Sequence, residues 1–94
     1  MITHIVIWKF KENEEENVDK FLDELKSLYG IIDVIKYMDV KKSINFNNDF
    51  NAILISKFNI KEDLEKYKRD PRHIKVSNLC KEIRINRTSI DIED

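Results

Sequence analysis

Three side chains in this 94-residue chain have types and placements suited to proton chemistry: His4, Tyr67 and His73. His73 follows Asp70-Pro71-Arg72, where proline suits the first helical position and Asp70 can cap, so His73 is the third residue of a helix. Backbone N–H groups at a helix N-terminus disfavour a nearby cation, which biases His73 toward neutral imidazole, the form a general base needs. Asp70 opposes that bias. Tyr67, just upstream, supplies a phenol that could polarise a carbonyl as charge builds on its oxygen. His4 sits on the first strand, level with Val6 and Trp8. The plainer reading of the same residues is a buried tyrosine and histidine that only satisfy each other and the backbone.

Other chemistries have less support. Two histidines and one cysteine do not supply the common zinc ligand sets on one chain. No acidic loop has the spacing of a Mg²⁺ or Ca²⁺ site, although oxygen-ligand sites stay open. The single glycine, Gly30, excludes both the dinucleotide fingerprint and the P-loop. No G-x-S-x-G elbow is present. No cofactor and no metal are expected. Cys80 shares an apolar helix stripe with Val76 and Leu79 and reads as an inert core residue. Glu12, Glu14, Glu15 and Glu16 read as a solvated helix start favoured by the helix dipole.

Composition narrows the class further. At 11.3 kDa there is room for one core, so residues 1–94 form a single domain. A 41% hydrophobic fraction argues for a compact fold despite 37% charged residues. With 17 basic and 18 acidic side chains, nothing in the charge points to nucleic acid or an anionic membrane. One cysteine cannot form an internal disulfide. The apolar start Met1–Trp8 is too short for a leader and is interrupted by Lys9 and Lys11, and no run approaches the roughly 20 residues of a membrane span. A cytoplasmic protein is expected.

The elements that would position the three side chains follow from hydrophobic spacing. Residues 2–10 read as a strand rich in Ile, Val, Trp and Phe. Residues 14–29 read as a helix capped by Asn13, with Val18, Phe21, Leu22, Leu25 and Leu28 at helical spacing and Gly30 after its end. Ile31 to about Lys41 and Phe50 to Phe58 read as strands, separated by a loop at Asn45–Asp49. Asn59-Ile60-Lys61-Glu62 has capping-box spacing and opens a short helix with Leu64 and Tyr67 inward. Asp70-Pro71 restarts it, to about Lys81. Ile83 to Ile92 closes the chain as a fourth strand. The order β-α-β-β-α-β predicts an α+β, ferredoxin-like sandwich, with both helices on one face of an antiparallel sheet and the first and third strands central.

Those central strands are apolar on both faces. Alternation sends Ile5 and Ile7 one way, and Ile2, His4, Val6, Trp8 and Phe10 the other. In the third strand Ile53 and Ile55 oppose Phe50, Ala52, Leu54 and Phe58. Two helices cover one face only. The sequence-based expectation is that Val6, Trp8, Phe10, Leu54 and Phe58 form the uncovered face, closed by a second copy. The uncovered patch would amount to several hundred Å², on the scale of interaction surfaces. A homodimer with a shared apolar core follows, with His4, Val6, Trp8, Phe10 and Leu54 lining its pocket.

Three segments carry a family resemblance: His4-Ile5-Val6-Ile7-Trp8-Lys9-Phe10-Lys11; Asn51 to Phe58 with Lys61-Glu62-Asp63-Leu64; and Tyr67-Lys68-Arg69-Asp70-Pro71-Arg72-His73, with the tail from Ile83 to Asp91. Together they resemble the stress-responsive A/B-barrel (Dabb) family over essentially the whole chain. The Tyr-x-x-[Asp/His]-Pro-x-His stretch is the most specific part. The resemblance implies a ferredoxin-like protomer that dimerises through its sheet into an α+β barrel. Most members have no assigned reaction. One plant member closes a polyketide by an aldol-type condensation, using a tyrosine and a histidine that match Tyr67 and His73, with a pocket histidine that matches His4. Trp8 is bulkier than the aliphatic wall residues the resemblance implies, so substrate size does not carry over.

Three functions are then open. One is a cyclase or lyase in which His73 removes a proton next to a carbonyl and Tyr67 holds the enolate. Another is a non-catalytic, stress-associated dimer that binds a small apolar ligand. The last is a cofactor-independent monooxygenase, a chemistry found in other dimeric ferredoxin-like barrels.

Overall fold

The computed structural model describes residues 1–94. The elements run β1 (Ile2–Phe10), α1 (Glu15–Ser27), β2 (Tyr37–Lys42), β3 (Ala52–Phe58), α2 (Lys61–Arg69), α3 (Pro71–Ile83) and β4 (Arg84–Glu93). The four strands form one antiparallel sheet in the order β2-β3-β1-β4. This is the ferredoxin-like α+β sandwich, with β1 and β3 central. No helix is long and apolar enough to cross a membrane.

Local chemistry sets the element ends. Asn13 takes a left-handed φ of 64° and lies outside α1, whose first turn is instead anchored by Val18 N–H donating to the Glu14 carbonyl at 2.8 Å. Asparagine tolerates that region because its short polar side chain can bond locally. Gly30 adopts φ +89° after α1, a conformation that a side chain would strain. The chain does not extend directly from Gly30 into β2. Turns bonded through the Leu28 and Ile32 carbonyls carry residues 28–35, burying Ile32 and Ile35, and pairing begins only at Tyr37. The capping-box expectation at Asn59 is also corrected: Ile60 is the N-cap of α2, with no side-chain bond. Asp70 does cap α3, accepting from Arg72 N–H at 2.8 Å.

Strand alternation holds, but the assignment of the two sheet faces is reversed. Val6, Trp8, Phe10, Leu54 and Phe58 are each no more than 4% exposed and lie beneath the helices. Trp8 meets Phe21 of α1 edge-on at 5.3 Å between centroids, and Phe58 packs on Tyr67 of α2 at 5.3 Å. The helices therefore cover the face that carries the aromatic rings. Large rings fill the deep space between a sheet and rounded helices, and burying them contributes the most per residue. The open face carries Ile5, Ile7, Ile53, Ile55, Ile90 and Ile92, with Ile5 level with Ile55 on one side and Ile90 on the other. Ile90 remains 58% exposed and Ile92 41%. Short β-branched side chains make a low, even surface of the kind that stacks against another sheet.

Candidate active site

The face reversal moves the site. His4 lies on the covered face of β1, under α2 and α3, so it shares a layer with Tyr67 and His73 inside one protomer. Tyr67 neighbours both histidines, its ring centroid 4.3 Å from that of His73 and 6.4 Å from that of His4. A cavity of about 190 Å³ adjoins them, with Val6, Trp8, Phe21, Leu25 and Leu54 among its walls. Of the wall residues expected from the sequence, Phe10 is the exception: it stacks behind Trp8 at 6.3 Å and does not reach the cavity.

Hydrogen bonding fixes the imidazole tautomers. His4 Nδ1 lies 2.5 Å from Asp91 Oδ1, and the antiparallel register sets the two residues opposite each other. A carboxylate accepts, so Nδ1 carries the proton and Nε2 keeps a lone pair. Lys68 Nζ lies 3.6 Å from the other oxygen of Asp91. His73 Nδ1 is 3.3 Å from the Lys68 carbonyl, which can only accept, so His73 Nε2 is also free to take a proton.

Burial lowers the pKa of both histidines below the ordinary 6.5. For His4 the Asp91 carboxylate opposes burial but does not overcome it. For His73 the Lys68 carbonyl and Asp70 oppose, while His4 and Arg87 add to the lowering. Neutral His73 is thus mainly an effect of burial. Burial also pushes the Tyr67 phenol well above its usual 10, which keeps it a hydroxyl donor. That hydroxyl is buried without any hydrogen-bond partner. An NMR titration should show both imidazoles protonating below pH 6.5. Because the folded-state values are lowered, the stability they contribute is complete above 6.5 and is lost as pH falls through them. Titration of either imidazole at or above 6.5 would show that it is not held in this environment.

Asp91, Lys81, Arg84 and Arg87 were not among the candidates read from the sequence. Asp91 orients His4, and the three basic residues line the cavity. Only the β1–β4 register and the path of α3 into β4 bring them there, and neither is written in local spacing. Cys80 lines the cavity too, its thiol pKa raised by burial, which favours the unreactive thiol. No group of three or more His, Cys, Asp or Glu side chains is arranged to hold a metal ion.

The fold is shared with a wider group of proteins. The family model described as Stress responsive A/B Barrel Domain (Dabb) matches residues 2–94. A dimeric protein of unknown function with a ferredoxin-like fold from Bacteroides fragilis superposes with a TM-score of 0.88 at 26% identity, over 99% of this chain and 95% of that chain. A Dabb family protein from Mesorhizobium loti gives 0.82 at 18% identity, over 99% and 95%. A hydroxynitrile lyase from Passiflora edulis gives 0.84 at 13% identity, over 97% and 90%. The last two, at such identity, show the fold alone. No curated protein matches the sequence.

Proposed function

The chain belongs to the stress-responsive A/B-barrel (Dabb) family, and on that premise we propose that it is a homodimer whose protomers each bind a small organic carbonyl compound and act on it as a cofactor-independent aldol-type cyclase or lyase. The observation that carries the chemistry is the buried, unpartnered hydroxyl of Tyr67, whose ring neighbours two neutral imidazoles that line the same cavity. A buried donor without a partner costs about 1–3 kcal/mol, a cost that an oxygen on a bound ligand would remove.

In the cyclase direction, His73 Nε2 takes a proton from the carbon next to a carbonyl. The C–H electron pair enters the enolate and the charge collects on oxygen, where Tyr67 donates its hydroxyl hydrogen bond. The enolate carbon attacks a second carbonyl of the same chain. The resulting alkoxide takes the proton back from His73, which regenerates the base. In the lyase direction the imidazole accepts the hydroxyl proton of a β-hydroxy carbonyl compound, the freed oxygen pair forms a new carbonyl, the carbon–carbon pair leaves as an enolate held by Tyr67, and the imidazolium returns the proton to the enolate carbon. His4, held by Asp91, binds the ligand from β1.

Dimerisation is supported by the open isoleucine face and by the dimeric state of structural relatives. The catalytic reading is tested with a panel of linear β-polyketo thioesters and β-hydroxy carbonyl compounds, followed by mass spectrometry of the products. Turnover of at least one class is expected. Failure across both classes would overturn the aldol reading and favour the non-catalytic binder.

A further inference from the structure

We propose that the cavity's ligand is a small carboxylate, a single ring or short chain bearing one anionic group, and that Arg87, with Arg84 and Lys81, receives that group. This deepens the proposed function and rests on its placement of the ligand beside Tyr67.

The first observation is the sign of the lining. Lys81, Arg84 and Arg87 line the cavity and no aspartate or glutamate does. The whole chain has more acids than bases, 18 against 17, so this is local segregation of charge and not composition. None of the three is in an ion pair. The helix dipole accounts for Lys81 and Arg84, in the last turn and at the C-cap of α3, but not for Arg87, which lies further along β4.

The second observation is polarity within the cavity. Val6, Trp8, Phe21, Leu25, Leu54 and Val76 give the cavity apolar and aromatic walls, and the two imidazoles and the Tyr67 phenol that also line it are uncharged. Arg87, His4, Tyr67 and His73 line the same cavity and the charge of Arg87 is felt at the other three, so an anion held by Arg87 shares that cavity with them. A guanidinium matches a carboxylate in a two-bond fork. The third observation is size. A dry cavity of about 150 Å³ accommodates benzene, and this one is about 190 Å³, room for one ring with a small substituent.

The test is calorimetric and NMR titration of the full-length dimer with benzoate, benzyl alcohol and inorganic phosphate. Benzoate should bind about tenfold or more tighter than either of the others, as expected for one charge-assisted contact combined with ring burial. It should also shift the His4 and His73 imidazole resonances. Arg87→Gln, on an exposed strand position that tolerates the change, should abolish the preference for benzoate while leaving the weak affinity for benzyl alcohol. Equal binding of benzoate and benzyl alcohol would overturn the anion assignment. Phosphate binding as tightly as benzoate would overturn the carboxylate. No benzoate binding, or binding that leaves both imidazoles unmoved, would overturn the site. None of these results touches the turnover assay, so this proposal and the aldol reading fail separately.

Discussion

Ile5→Asp is expected to sediment as a folded monomer of about 11.3 kDa, and the unsubstituted chain as the proposed dimer. Ile5 stands at the middle of the open face, level with Ile55 and Ile90, and flanked by Ile7, Ile53 and Ile92. Within one protomer its side chain faces away from the helices, so a carboxylate there stays in water and the helix-covered core is untouched. In a two-fold dimer the same substitution enters the interface from both sides. Each buried, unpaired carboxylate costs several kcal/mol, and two of them weaken association by roughly a thousandfold or more. The melting temperature should lose its dependence on protein concentration, because association no longer contributes to stability. A variant that still sediments as a dimer would show that the subunits meet through another surface. Trp8→Asp, by contrast, should unfold the chain, since Trp8 is 4% exposed beneath α1.

That contrast marks what the sequence made legible. Strand order, helix positions and the two-sided character of β1 and β3 all follow from period-two and helical spacing, which are local properties. Which face the helices cover is not local. Alternation separates Ile5 from Val6 but does not say which of them meets α1. One non-local constraint was nevertheless available: Tyr67 and His73 lie on helices, so a site shared with His4 requires the His4 face to be the covered one, and Val6, Trp8 and Phe58 go with it. Phe10 shares that parity but sits at the strand end, behind Trp8, beyond the reach of the cavity. The start of β2 was misjudged because Ile31, Ile32, Val34 and Ile35 look strand-like in composition, whereas turns at 28–35 place Ile32 and Ile35 in the core. Asp91, Arg84 and Arg87 were silent because their roles depend on register with β1 across most of the chain length.

Tyr67→Phe is expected to separate stability from activity. The hydroxyl is buried without a partner in the free protein, so removing it takes away no hydrogen bond and relieves an unmet donor; the melting temperature should be unchanged or higher. The ring remains to pack on Phe58 and His73. In turnover the same change deletes the donor aimed at the enolate oxygen, and kcat should fall by about 10²–10³. His73→Ala removes the base and should lower kcat by about 10²–10⁴, with a modest loss of stability, since His73 is only half-buried and its one bond, to the Lys68 carbonyl, is at 3.3 Å. The two effects should not add in the double variant, because both groups act on one transition state. A purely structural role makes the opposite forecast: Tyr67→Phe would lower the melting temperature and leave kcat in place. The two forecasts diverge because the fold makes no hydrogen bond with the Tyr67 hydroxyl.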